Sequence, residues 1–170
     1  MIARAAARRP ANREPKPASV VLHCGAELAA RERKVLLSAA NAATPRGRRW
    51  SLVVVGDRRM RRLNREFHAV DETTDVLAFE LERWSTDGFD GEVIVCAPYA
   101  RREARSRGLA FTTELALYAV HGILHLLGED DHEPERARRM RRRERQILAR
   151  VRIELPPHHL DELKYPEPRP

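Results

Sequence analysis

TTELALYAVHGILHLLGEDDH, residues 112–132, decides how this chain is read. Thr112 or Thr113 is placed to cap a long apolar helix over about 113–127, and Gly128 is suited to end it in a left-handed conformation. Residues i and i+4 on a helix stand one above the other with Cβ atoms roughly 5–6 Å apart, so His121 and His125 can converge on one ion. After Gly128 the chain can reverse and bring a side chain from 130–132 back toward the pair. Three ligands and one open position are the arrangement of a catalytic zinc rather than a structural one. The competing reading is a pair of core histidines satisfied by carbonyls. The Glu129-Asp130-Asp131-His132 turn weighs against it, because adjacent carboxylates repel unless cations or solvent screen them.

On either side of this helix the pattern alternates. WSLVVVGD, residues 50–57, is an almost unbroken apolar run and predicts a strand buried on both faces. SVVLHC (19–24), VLAFEL (76–81) and GEVIVCA (91–97) predict three more, the last two as an antiparallel pair. Helices are predicted over 27–43, 58–68, 98–108, where Pro98 can open the first turn, and 134–152. HAVDETTD (68–75) is polar and reads as a loop. With no repeat visible, the expectation is an α/β (α+β) single domain: a small mixed central sheet of about four strands, helices packed on it, and a metal site at the end of a long helix. That domain is placed at 18–154, between a disordered basic extension over 1–17 and a Pro-rich tail over 155–170.

The formal charge of +7 invites a nucleic-acid reading, but residues 1–17 carry +4 and residues 155–170 carry −1, leaving +4 for the rest of the 170-residue chain. Charge alone is therefore weak evidence for RNA or DNA. Cys24 and Cys96 form no CxxC pair and read as small buried hydrophobes in a reducing, cytoplasmic setting. Trp50 and Trp84 read as packing residues, since no basic-aromatic interleaving suggests base stacking. No apolar run approaches the length of a membrane span.

The metal helix of many peptidases is H-E-x-x-H, whose Glu is the general base. Here that position is Gly122, so a peptidase would need a substitute such as Asp130, Asp131 or Glu114. It stands as the alternative enzyme reading, beside a non-catalytic assembly protein whose metal only staples the fold. Asp130 or Asp131 could orient a water or a ligand imidazole. The arginines of ERARRMRRRERQ could hold phosphates, or form a solvated face offset by Glu133, Glu135 and Glu144.

H-G-x-L-H-L-x-G, followed closely by Asp and His, resembles the signature of the YbeY family of bacterial metal-dependent endoribonucleases. LNREFHAVDETTDVLAFE (63–80) and, more weakly, GEVIVCAPYARREA (91–104) resemble further family stretches, and together the three cover about residues 50–135 in the right order. The resemblance implies an α/β domain, one zinc ion per chain held by His121, His125 and His132, and cleavage of single-stranded RNA near the 3′ end of small-subunit rRNA. It also implies rRNA and the small ribosomal subunit as partners, with a role in ribosome quality control. His68, Thr74 and Asp75 are the candidate substrate contacts. Two departures stand out. Relatives have five residues between the second and third His, whereas six separate His125 from His132, so Asp131 competes for the third ligand position. His68 falls where many relatives place an Arg, and a neutral imidazole binds phosphate less well.

Overall fold

The computed structural model describes residues 18–81 and 88–156. The expected extension over 1–17, most of the tail over 155–170, and Trp84 lie outside the described residues.

Four strands form one mixed sheet in the order β1-β2-β4-β3. β2 (Arg49–Val55) pairs in parallel with β1 (Ser19–Cys24) on one side and with β4 (Gly91–Cys96) on the other. β3 (Val76–Glu80) pairs antiparallel with β4, Leu77 opposite Ile94. The near-continuous apolar run of β2 follows from its central place, since successive side chains must be buried on opposite faces. Leu52, Val54, Val93 and Val95 enter the larger core, and Val53, Val55, Ile94 and Cys96 the smaller one.

The larger core is closed by α1 (Ala30–Ala43), α4 (Phe111–Leu126) and α5 (Pro134–Arg150). The smaller core is closed by α2 (Asp57–His68), through Met60 and Leu63. The remaining helix, α3 (Ala97–Ser106), carries Pro98 in its first turn and packs Ala97 and Ala100 into the larger core. α4 is the central helix, buried at every position from Glu114 to Leu124, as expected of a helix that is apolar around its whole circumference. Gly122 lets it lie directly on the sheet: a Cβ there would stand 2.7 Å from Val93 Cγ1 and 3.0 Å from Val76 Cγ2. The same contact leaves no room for the glutamate that a peptidase helix carries at this position.

Several expectations need correction. α4 begins at Phe111 behind Ala110, not behind Thr112 or Thr113, and no side chain caps it. α1 begins three residues later than predicted. Cys24 is exposed because β1 is an edge strand; only Cys96 is a core thiol, and burial pushes its pKa up to about 12. Glu114 is fully buried against Arg107, at 3.2 Å from both carboxylate oxygens, which removes it as a free base. Gly128 does end α4 region with φ 84°, its N–H donating to the His125 carbonyl at 2.9 Å.

Candidate metal centre

His121 and His125 project from the last two turns of α4, and their Nε2 atoms lie 2.8 Å apart. Each ring is anchored through its other nitrogen. His121 Nδ1 lies 2.7 Å from Glu144 Oε1, and His125 Nδ1 lies 3.0 Å from the Glu129 carbonyl oxygen. A carbonyl can only accept, so His125 carries its proton on Nδ1; a carboxylate partner favours the same tautomer for His121. Both Nε2 lone pairs then face one point. Asp131 closes the group from the turn after Gly128, its carboxylate oxygens 4.0 Å from His121 Nε2 and 3.7 Å from His125 Nε2.

His121, His125 and Asp131 thus form a group whose ligand atoms all lie within 4.8 Å of one another. His132 is not brought to the helix pair. It is exposed, with its backbone N–H 2.9 Å from Asp130 Oδ1 and its ring against the same carboxylate. Arg136 Nη1 donates to the other Asp130 oxygen at 2.9 Å. The His132 N–H and ring, with Arg136, hold the Asp130 carboxyl well below the usual range, which makes it a poor proton acceptor. With six residues between His125 and His132, the side chain that the turn brings toward the pair is the one before His132, Asp131.

The two imidazoles are shifted in opposite directions. Burial opposes a charge on His121, but the Glu144 hydrogen bond and charge, with Asp75 and Asp131, together outweigh it and raise its pKa. Burial and the neighbouring His121 lower that of His125 against the pull of Asp131. In the metal-free pair a proton is therefore favoured on His121 over His125.

Glu144 is the functional residue that sequence reasoning missed. In the sequence it is one of the acids that could offset a solvated arginine face, yet it is 1% exposed. Its signal was present: Met140, Glu144, Ile147 and Leu148 lie at helical spacing on one face of α5, so a carboxylate on that stripe had to be buried and partnered.

The loop after α2 approaches the centre from the other side. Asn64 braces it, Nδ2 donating to the Glu72 carbonyl at 2.9 Å. Thr74 Oγ1 and the Val76 N–H donate to Asp75 Oδ1 at 3.0 and 2.8 Å. Burial raises the Asp75 pKa, while the positive charge of His121 draws it down. Asp75 is therefore within electrostatic reach of the histidines. His68, the last residue of α2, is exposed, and its ring makes no hydrogen bond among the described residues.

The family description Endoribonuclease YbeY matches residues 25–152. A protein named Endoribonuclease YbeY from Anaeromyxobacter sp. (strain Fw109-5) is 45% identical over 98 residues, 57% of this chain and 51% of that protein. One of the same name from Geobacillus kaustophilus is 36% identical over 129 residues, 70% of this chain and 83% of that protein. The chain thus spans about half the length of the first relative and most of the second. The solution structure of TM1509 from Thermotoga maritima matches with a TM-score of 0.54 at 24% identity, over 77% of this chain and 89% of that one, a likeness of fold. Among the described residues no helix is long and apolar enough to cross a membrane.

Proposed function

Because the chain belongs to the Endoribonuclease YbeY family, we propose that it is a zinc-dependent, single-strand-specific endoribonuclease that matures the 3′ end of small-subunit rRNA in the cytoplasm and serves ribosome quality control. Family membership makes it a hydrolase of RNA phosphodiester bonds. The catalytic unit is residues 18–154, and rRNA within the small ribosomal subunit is its substrate and partner.

The observation that carries the reading is the convergence of two anchored imidazole Nε2 atoms and one carboxylate. Two nitrogens and an oxygen suit zinc, and a second hydrogen bond on each ring is the usual device for orienting such ligands. His121, His125 and Asp131 would hold the ion, one per chain, with His132 and Asp130 bracing the turn beside it. When bound, zinc lowers the pKa of water toward about 7 and offsets charge building on a phosphoryl oxygen. Glu144 keeps the His121 proton on Nδ1, and the Glu129 carbonyl does the same for His125. Thr74 holds the Asp75 carboxylate in place, so its contribution is to position rather than to contact substrate. Gly122 speaks against a peptidase, since the base of that mechanism would collide with Val93 and Val76.

Metal content and cleavage of precursor small-subunit rRNA test this in the wild type, His121→Ala, Asp131→Ala and His132→Ala. Loss of both properties is expected in the first two variants and retention in His132→Ala. Full metal in Asp131→Ala with loss in His132→Ala would reverse the ligand assignment, and normal cleavage by metal-free His121→Ala would end the mechanism.

A further inference from the structure

A groove of about 820 Å³ opens where the carboxyl ends of β1 and β2 meet the start of α2, lined by none of the metal-centre residues. In open α/β sheets this end of the parallel strands is where ligands are received. Five arginines of α2 line it, Arg58, Arg59, Arg61, Arg62 and Arg65, against two carboxylates, Asp57 and Asp71. Both carboxylates are already engaged. Arg102 grips Asp57 at 2.8 and 3.1 Å from outside the groove, and Arg61 grips Asp71 at 3.0 and 2.6 Å. Arg58, Arg59 and Arg62 are exposed and have no hydrogen-bond or ion-pair partner among the described residues. Like charges on neighbouring helical positions repel, so this concentration is a standing cost that a polyanion would relieve. At Gly56 no side chain caps α2, and the free N–H groups of its first turn border the same groove.

We propose that this groove binds the phosphate backbone of single-stranded RNA, holding substrate beside the metal centre. The inference rests on the endoribonuclease reading and extends it. Guanidinium forks match phosphate oxygens, and the lining contains no aromatic ring on which a base could stack, so the contact reads backbone and not sequence. The loop over 69–75 connects the two places. Arg61 and Arg65 tie its Asp71 to α2, and its other end is Asp75, beside His121. Seven residues span at most about 25 Å, so one strand can occupy both. The arginines also take over a task for which exposed His68 is poorly suited.

The test measures binding of a fluorescent oligouridylate to zinc-loaded protein across a salt series, with cleavage of the precursor rRNA followed in parallel. In the triple variant Arg58→Gln, Arg59→Gln, Arg62→Gln the slope of log affinity against log salt should fall by about 2, near 0.7 per lost phosphate contact. Between about 50 and 200 mM salt the wild type should therefore lose about twentyfold more affinity than the variant does. KM should rise while kcat at saturating RNA holds, and replacing the same three residues with Lys should restore most of the binding. A charge-matched variant outside the groove, Arg46→Gln, Arg105→Gln, Arg150→Gln, should change little. An unchanged slope in the groove variant, or an equal change in the charge-matched one, overturns the assignment of the groove while leaving the nuclease reading intact. Wild-type protein that neither binds nor cleaves RNA removes the reading on which it rests.

Discussion

Replacing Glu144 with alanine removes the carboxylate that accepts from His121 Nδ1 at 2.7 Å, inside a pocket where that carboxylate is 1% exposed. Freed of that partner, the ring can rotate or move its proton to Nε2, and either change spoils it as a ligand. Loss of such an outer hydrogen bond typically costs 10- to 100-fold in metal affinity, or about 1.4–2.7 kcal/mol. The metal-free fold should respond differently. Glu144 Oε2 has no hydrogen-bond partner among the described residues, so removing the side chain also relieves a desolvation cost. The melting temperature of metal-free protein should therefore fall much less than that of the zinc-loaded form. Glu144→Gln retains an oxygen able to accept from Nδ1 and should recover most of the affinity. Competition with a chromophoric chelator measures the affinity, and paired melts with and without zinc measure the linkage. Wild-type zinc affinity in Glu144→Ala would refute the claim that Glu144 orients His121.

Other consequences are open to direct measurement. Because His121 is raised above its usual value near 6.5 and must shed its proton to bind metal, zinc affinity should climb with pH through and beyond that value. In metal-free protein the stability contributed by protonated His121 is fully present below 6.5 and fades as pH rises through its raised value, so the melting difference between zinc-loaded and metal-free protein should widen as pH rises above 6.5; a flat difference would contradict the shift. Gly122→Ala forces a methyl group against Val93 and Val76 and should cost about 1–3 kcal/mol, a fall of about 2–12 °C in Tm; an unchanged Tm would mean that α4 has room to lift from the sheet. Arg107→Ala withdraws the guanidinium from fully buried Glu114 and should destabilise by about 3 kcal/mol in urea unfolding, with the loss largely suppressed in an Arg107→Ala, Glu114→Gln double variant.

The elements were legible because their causes are local. The near-continuous apolar runs of β2 and β4, Pro98 in the first turn of α3 and Gly128 after α4 each act within a few residues of the chain. The pairing of His121 with His125 is of the same kind, since i and i+4 on any helix share a face. Sequence by itself therefore determined the class of fold, the two candidate ligands on the helix and the turn from which a third could come. Only tertiary structure decided the rest. Glu144 meets His121 across 23 residues of chain because α5 packs its apolar stripe on α4; its place on that stripe foretells a buried carboxylate but not which side chain it meets. That Asp131 and not His132 lies beside the helix histidines depends on which side chain of one tight turn faces inward, a matter of about one residue of rotation. The arginines of α2 became a groove only when β1 and β2 were set side by side beneath its first turn, because contacts between distant segments follow from the order of strands in the sheet and not from any pattern along one of them.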